Sequence, residues 1–250
     1  SEVYGLSSLT RMSCDFARHS YSGVVASVQA FQENFELYSI DDNAHVPVTQ
    51  ENIQIFPRDI YRGCFETFLE KEIHEAPLSV SKTLRGRYLF DGDVVRFDGL
   101  PTDIWKNLRS FVEGRISNIY VIGQGTAGVA AVGIAHLIER ALTKAHHAPS
   151  VIALRSSEMS AEIDRLDMKN SLVIAVSQSG TTTDTNRAVD LAVARGAFIH
   201  CIVNRRGSDL IRKSNSVLYT SDGRDIEMSV ASTKAFYAQV VAGQLTALFI

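Results

Sequence analysis

Five short apolar runs, spaced regularly through the second half of the chain, constrain the fold more than any other feature. Stretches with helical periodicity separate the runs, at residues 129–144, 158–166, 182–195 and 208–213. Continuous apolar strands joined by crossover helices are typical of a parallel sheet covered on both faces. We therefore predict an α/β, three-layer αβα sandwich with a five-stranded parallel sheet. The predicted strands are Ile119 to Ile122, Val151 to Leu154, Leu172 to Val176, Phe198 to Val203 and Val217 to Tyr219.

The first half of the chain lacks this alternation. Residues 1–54 mix short apolar stretches with turn signals such as Asp41-Asp42-Asn43, which predicts strands and loops rather than a compact domain. From Asp59 to Arg87 apolar residues recur at helical spacing, which predicts an amphipathic helix that Pro77 ends or kinks. A second helix is predicted from Pro101 through Phe111. We divide the chain into residues 1–55, a helical arm at 56–115 and an α/β domain at 116–250.

Charge and composition argue against several classes of protein. The net charge of −3 and the scattered Lys and Arg residues give no basic surface for nucleic acid. No apolar run approaches the ~20 residues of a membrane span, and no secretory leader opens the chain. The three cysteines, Cys14, Cys64 and Cys201, form no CxxC pair and are typical of reduced thiols. We expect a cytoplasmic protein that holds neither a metal nor a cofactor.

The loop after the third predicted strand carries the most polar groups. Its sequence, Ser177-Gln178-Ser179-Gly180-Thr181-Thr182-Thr183-Asp184, places hydroxyls, an amide and free backbone N–H groups at a helix N-terminus. In parallel sheets, ligands bind beyond the carboxyl ends of the strands. The loop therefore suits a phosphate group without any lysine. The alternative is structural, with Thr181 and Asp184 forming a capping box.

The loop after the first predicted strand supports a rival hypothesis. Gly123-Gln124-Gly125-Thr126-Ala127-Gly128 matches the G-x-G-x-x-G pattern of dinucleotide-binding proteins. The next strand ends in Arg155 rather than in an acidic residue, which favours NADP over NAD. Alternatively, the glycines only allow the strand and helix to pack closely.

A third polar segment runs from Glu227 to Lys234. Ser229 or Ser232 is placed to cap the following helix, while Lys234 in its first turn opposes the helix dipole. Such a lysine indicates a nearby carboxylate, and Glu227 is the candidate. Glu227 and Lys234 are therefore either candidate catalytic residues or an internal ion pair that positions the loop.

Two of these segments carry a resemblance to a known family. Ser177-Gln178-Ser179-Gly180 and Val230-Ala231-Ser232-Thr233-Lys234-Ala235-Phe236 resemble motifs of sugar isomerase (SIS) domains, most closely the first such domain of the isomerizing glutamine–fructose-6-phosphate aminotransferases, or glucosamine-6-phosphate synthases. Residues 68–77 and 83–87 resemble the arm that joins the glutaminase and isomerase halves of those enzymes. The resemblance covers roughly Asp59 to Ile250 and implies a flavodoxin-like sheet. Residues 1–55 would then be a linker or the tail of a glutaminase-like domain.

The resemblance also implies which residues contact a ligand. It gives the phosphate ligands as Ser177, Gln178, Ser179 and Thr182, and the sugar-facing residues as Gly125, Thr126, Val230 and Ser232. This sequence departs from the family at two positions, with Ala127 in place of a serine and Thr181 in place of a glutamate.

Family membership implies a reaction that this chain would not complete alone. The family converts fructose 6-phosphate and glutamine to glucosamine 6-phosphate, and its catalytic residues come from an amino-terminal cysteine and a second SIS domain. We expect this chain to bind fructose 6-phosphate or glucose 6-phosphate without turnover, to form homo-oligomers, and to be joined to a second SIS domain in a longer parent chain. The alternatives are a non-catalytic sugar-phosphate sensor and, less favoured, an NADP-dependent enzyme.

Overall fold

The computed structural model describes residues 3–4, 10–13, 24–28, 35–39, 44–46, 49–52, 61–89, 94–95, 107–108, 111–113, 116–143 and 148–250. The chain divides into two units, residues 1–57 and residues 58–250. Among the described residues, no helix has both the length and the apolar character needed to cross a bilayer.

The first unit is built from short antiparallel strands in its described segments. They form two three-stranded sheets, with orders β1-β2-β6 and β3-β4-β5. Their bounds are β1 (Val3–Tyr4), β2 (Thr10–Ser13), β3 (Val24–Val28), β4 (Phe35–Ser39), β5 (His45–Val46) and β6 (Thr49–Asn52). The strands expected in residues 1–54 are therefore present, whereas the expectation that this segment is not compact was wrong, since residues 1–57 form a compact unit of their own. The assignment of this segment to a glutaminase-like protein stays a prediction.

The arm contains one long helix, α1 (Phe68–Leu84), whose start is capped by the Thr67 hydroxyl accepting from the Glu70 N–H at 3.1 Å. The helix continues through Pro77, so of the two predicted effects Pro77 does not end it, and a kink stays a prediction. Proline removes the bond to the carbonyl of Ile73, but Ile73 is 55% exposed and Pro77 is exposed too. The interruption lies on an exposed part of the helix, where it costs less than it would inside a core.

The rest of the arm is described only in part. A two-stranded antiparallel ladder follows α1, formed by β7 (Tyr88–Leu89) and β8 (Val94–Val95). Residues 107–108 and 111–113 are helical, whereas the predicted start of that second helix at Pro101 lies outside the described residues.

The five predicted strands form one fully parallel sheet, as the apolar runs indicated. The strand order is β10-β9-β11-β12-β13, so the first strand of the domain lies between the second and third. The strands are β9 (Asn118–Gly123), β10 (Ser150–Arg155), β11 (Ser171–Ser177), β12 (Phe198–Val203) and β13 (Ser216–Tyr219). The helices between and after them are α2 (Thr126–Leu142), α3 (Ser156–Glu162), α4 (Thr183–Ala194), α5 (Asp209–Arg212) and α6 (Lys234–Phe249).

Helices cover both faces of the sheet, which confirms the three-layer fold. Leu172, Ile174 and Val176 of β11 pack in one cluster with residues of α2 and α6. Val173 and Ala175 pack on the opposite face with residues of α3, α4 and α5. Alternate residues of a strand face opposite sides of the sheet. All five side chains are fully buried because helices cover both sides.

His200 is a buried core residue of β12. Its Nδ1 lies 2.6 Å from the Ser216 hydroxyl of β13, and its Nε2 lies 3.4 Å from the Thr246 hydroxyl of α6. Burial lowers the pKa of His200 to about 3, so the ring is neutral near pH 7. It joins two strands and a helix through hydroxyl contacts.

The strand order creates a topological switch point between β9 and β11. The helix after β9, α2, lies on one face of the sheet, and the helix after β11, α4, lies on the other. A crevice opens between the two connecting loops at the carboxyl ends of these strands. Both polar loops identified in the sequence, Gly123 to Gly128 and Ser177 to Asp184, begin at this crevice.

Candidate functional site

A cavity of about 320 Å³ lies at the switch point, between the loops that follow β9 and β11. All eight residues predicted to contact a ligand line it, together with four residues that the sequence reasoning had not assigned to a ligand. The predicted residues are Gly125, Thr126, Ser177, Gln178, Ser179, Thr182, Val230 and Ser232. The additional residues are Gln124, Ala127, Val176 and Thr185.

The serines of the loop after β11 shape its turn. The Ser177 hydroxyl accepts a hydrogen bond from the Gly180 N–H at 2.9 Å. The Ser179 hydroxyl accepts from the N–H of Thr181 at 3.2 Å and from the Thr181 hydroxyl at 3.0 Å. Local side-chain bonds of this kind hold a turn without needing a helix or strand ladder. They fix the loop that carries Gln178 and Thr182 into the cavity wall.

The carbonyl groups of this loop are bonded to the surrounding protein. The Asn186 side chain donates to the carbonyls of Gly180 and Thr182, at 3.1 Å each. The Gln178 carbonyl accepts from the N–H groups of Asn204 and Arg205, at 3.2 Å each. These three carbonyl oxygens therefore point toward α4 and the residues after β12, where protein groups bond them.

Two helix N-termini border the cavity. Helix α4 begins at Thr183 after the N-cap residue Thr182, which makes no side-chain capping bond. Helix α2 begins at Thr126 after Gly125, which has no side chain to cap it. The alternative of a capping box at Thr181 and Asp184 does not hold, because the N-cap residue is Thr182 and its side chain makes no capping bond. The first-turn N–H groups and the positive ends of both helix dipoles border the cavity.

The outer glycines of the Gly123 to Gly128 loop allow the strand and helix to pack closely. A Cβ on Gly123 would lie 2.5 Å from the Ala127 carbonyl oxygen, and one on Gly128 would lie 3.1 Å from the Gly123 carbonyl oxygen. The Gln124 side-chain oxygen accepts from the N–H and hydroxyl of Ser157, at 3.4 Å each. These contacts support the packing interpretation of the glycine pattern.

The third segment enters the site only through Val230 and Ser232. Glu227 caps α6, since its Oε1 accepts from the N–H groups of Thr233 and Ala235 at 3.0 Å each. The sequence predicts Ser229 or Ser232 as the cap, but the capping side chain is that of Glu227. Neither Glu227 nor Lys234 lines the cavity.

The expected pairing of Lys234 with Glu227 was also wrong. The Lys234 ammonium lies 2.7 Å from Oε2 of Glu75 on α1, and Lys234 is only 4% exposed. Glu75 also lies 3.7 Å from the ammonium of Lys71. The carboxylate that pairs with the buried Lys234 therefore comes from Glu75 of the arm, a distant residue that the spacing around Lys234 does not indicate.

The cavity wall is polar and uncharged. Among the lining residues that the structure describes, none has a titratable carboxylate, imidazole, amine or guanidinium group. The nearby carboxyl of Glu227 has its pKa raised by burial and also by the charge of Glu72, although backbone hydrogen bonds oppose the rise. In the described part of the chain, no cluster of His, Cys, Asp and Glu is suited to a metal ion.

Comparisons with known proteins match the same part of the chain. A family model described as the SIS domain matches residues 115–249. The glutamine–fructose-6-phosphate aminotransferase (isomerizing) of Corynebacterium diphtheriae is 39% identical over 189 residues, which cover 76% of this chain and 28% of that protein. The mouse (Mus musculus) glutamine–fructose-6-phosphate aminotransferase (isomerizing) 2 is 34% identical over 197 residues, covering 77% of this chain and 26% of that protein.

A solved structure is similar in fold and sequence. The C-terminal domain of glucosamine-fructose-6-phosphate aminotransferase from Francisella tularensis has a TM-score of 0.62 and 27% identity, covering 76% of this chain and 49% of that one. The chain spans only a quarter to a third of the length of the Corynebacterium diphtheriae and mouse relatives.

Proposed function

The chain belongs to the SIS domain family, and from this premise we propose that it is the phosphosugar-binding part of a glucosamine-6-phosphate synthase-like enzyme. The curated relatives are named for a reaction of fructose 6-phosphate with glutamine. The matched region of this chain contains the cavity and both loops that border it. The proposed ligand is therefore a ketose or aldose 6-phosphate, with fructose 6-phosphate as the first candidate.

The loop after β11 is the observation that carries this proposal. Its carbonyls are bonded to protein, while the start of α4 and the hydroxyls of Ser179 and Thr182 border the cavity. Hydrogen bonds from such donors to a charged acceptor contribute about 1.5–3 kcal/mol each. The positive end of a helix dipole adds about 0.3–1 kcal/mol. A few such interactions hold a phosphate without a lysine or arginine.

The other side of the cavity is assigned to the sugar. Gln124, Thr126 and Ser232 offer neutral donors and acceptors that suit the hydroxyl groups of a polyol. Val230 adds an apolar contact, and the cavity volume lies within the range of small-molecule sites. Ala127 lies in the wall, so the departure from the family's serine removes one hydroxyl at the cavity itself.

The proposed parent reaction needs groups beyond those that line the cavity. Moving a proton between neighbouring carbons of a sugar requires a base within hydrogen-bond reach. The lining residues described above include no such base. We propose that the base and the glutamine-hydrolysing nucleophile belong to other parts of a longer enzyme, so that this chain binds sugar phosphate without turnover.

The same observation keeps a second candidate function open. A cavity lined by neutral hydroxyl, amide and aliphatic groups also suits a sensor that binds a sugar phosphate and regulates a partner. The two functions differ in the parent protein. A downstream domain with its own base supports the enzyme, and a DNA-binding helix-turn-helix supports the sensor.

Calorimetric titration with fructose 6-phosphate and glucose 6-phosphate tests the proposal. We expect saturable binding by the wild-type chain and a loss of about tenfold or more in affinity for Ser179→Ala, because one hydrogen bond to a charged group is removed. Ser117→Ala is the matched control, since Ser117 is exposed and precedes β9 at the opposite end of the sheet. Absence of binding at millimolar sugar phosphate in a folded sample would contradict the proposal.

A further inference from the structure

We propose that Glu72 of the arm helix α1 is a positioning residue for the sugar-facing wall of the cavity. It acts through residues 228–233, defined here as the wall segment, which carry Val230 and Ser232 to the cavity. This inference rests on the proposed function. It adds that the arm takes part in building the ligand site.

Glu72 binds the wall segment at both of its ends. Its Oε1 accepts from the N–H of Met228 at 2.6 Å and from the N–H of Ser229 at 3.1 Å. Its Oε2 accepts from the Thr233 hydroxyl at 3.3 Å. Glu72 is only 1% exposed, so these bonds are shielded from water. A buried carboxylate is stable only when such donors satisfy it.

A second carboxylate meets the same segment from within the domain. Glu227 accepts from the N–H of Thr233 at 3.0 Å, and its Oε1 lies 3.5 Å from the Thr233 hydroxyl. Thr233 is therefore held between Glu72 and Glu227. The intervening residues Val230 and Ser232 line the cavity, and Val230 is fully exposed. Their position thus depends on bonds at the ends of the segment.

Other contacts dock the arm beside this segment and place Glu72. Lys234 bonds Glu75 at 2.7 Å, directly after the wall segment. Lys82 bonds Asp225 at 2.9 Å, shortly before it. Arm residues thus flank the segment on both sides, and Glu72 is the arm residue whose side chain accepts from the segment's own backbone. Among the described residues, the three side-chain hydrogen bonds of Glu72 end on residues 228–233 and none involves the loop of Ser177 to Thr182.

This geometry predicts that Glu72 affects the sugar contact and leaves the phosphate contact unchanged. Glu72→Gln keeps the size of the side chain but has one acceptor oxygen and adds an N–H₂ donor. The amide oxygen is an uncharged and weaker acceptor for the Met228 and Ser229 N–H groups, and the N–H₂ group gives the Thr233 hydroxyl no acceptor. Binding of inorganic phosphate depends on residues 177–185 and should not change.

The experiment compares fructose 6-phosphate and inorganic phosphate as ligands of the wild-type chain, Glu72→Gln and Glu70→Gln. Glu70 is the matched control, because it lies on the same helix and its carboxylate bonds the N–H of Glu66 at 3.0 Å, away from the wall segment. For Glu72→Gln we expect about tenfold weaker binding of fructose 6-phosphate, with phosphate affinity unchanged within twofold. Amide hydrogen exchange at Met228 and Ser229 should accelerate about tenfold in this variant and stay unchanged in Glu70→Gln.

The outcomes separate this inference from the proposed function. If the wild-type chain binds neither ligand, the proposed function falls and this inference falls with it. If the wild-type chain binds fructose 6-phosphate and Glu72→Gln binds it equally well, only this inference is overturned. Equal weakening of both ligands also overturns it, since a general loss of structure explains that result. If Glu72→Gln does not fold, Thr233→Val removes the hydroxyl that contacts Glu72 and Glu227, and it should weaken fructose 6-phosphate binding while leaving phosphate affinity unchanged.

Discussion

Replacing Gly180 with alanine tests how tightly the loop after β11 is built. Gly180 has a φ of 65°, in the left-handed region where a side chain costs about 1–2 kcal/mol. A Cβ at this position would lie 2.6 Å from Cβ of Ser208, an atom next to the backbone, and 3.0 Å from Cγ2 of Val203. Relieving such an overlap costs about 1–3 kcal/mol. The loss of unfolded-state entropy returns about 0.4–1 kcal/mol.

We therefore expect Gly180→Ala to lower the free energy of unfolding by about 2–4 kcal/mol, measured by urea denaturation. Two other glycines separate the contributions. Gly125 has a φ of 59° and a ψ of −130°, a conformation that favours glycine strongly, and an added Cβ there would have no atom within 4 Å, so Gly125→Ala should cost about 1–3 kcal/mol from backbone strain alone. Gly133 lies inside α2 with the same open space, so Gly133→Ala should stabilise by about 0.5–1 kcal/mol.

Gly180→Ala is judged against the cost of backbone strain alone. If it lowered the free energy of unfolding by less than about 1 kcal/mol, the contact of the loop with Ser208 would not be tight, and the physical account of the loop would be refuted. Gly180→Ala should also weaken binding of fructose 6-phosphate, because a shifted turn moves Ser179 and Thr182. Unchanged affinity in a destabilised Gly180→Ala protein would mean that the ligand does not rely on this turn.

Three further substitutions test other parts of the structure. Asn186→Ala removes the donor to two loop carbonyls and should lower sugar-phosphate affinity about tenfold in calorimetry; an unchanged affinity would contradict its supporting role. Ala127→Ser should raise that affinity about two- to tenfold by adding a hydroxyl at the cavity, and a lower affinity would show a steric conflict instead. Burial lowers the pKa of His200 to about 3, so between that value and about 6.5 the unfolded chain binds one more proton than the folded chain. The free energy of unfolding should therefore fall by about 1.4 kcal/mol for each unit by which the pH is lowered in this range. His200→Gln should remove that slope in urea titrations between about pH 7 and pH 5, and an unaltered slope would assign it to other groups.

The parallel sheet was predictable because its signal is local. The strands are continuous apolar runs because helices cover both faces of the sheet, most completely at β9 and β11, and the turn residues after these two strands follow directly in the sequence. The rule that parallel strands end at the same edge then placed the Gly125 and Ser177 loops together. Their assignment as ligand-binding residues stays a prediction, which the titrations above test.

The remaining features depend on contacts between distant segments. Lys234 pairs with Glu75, which is 159 positions away, so the nearer Glu227 was a reasonable but incorrect partner. Thr185 was missed because it lies within a helix pattern, where a buried hydroxyl is indistinguishable from a core position. Pro77 was predicted to end or kink α1, and the helix continues through it; the exposure of Ile73, which depends on how the helix packs, is not visible in the periodicity.

Amide chemical shifts recorded during titration with fructose 6-phosphate test the central claim most directly. The N–H groups of the loop after β11 and of the first turn of α4 should act as phosphate donors. The account predicts the largest shifts at residues 178–185, with smaller shifts at 124–127 and 230–232. Saturable binding that leaves residues 178–185 unshifted would contradict it.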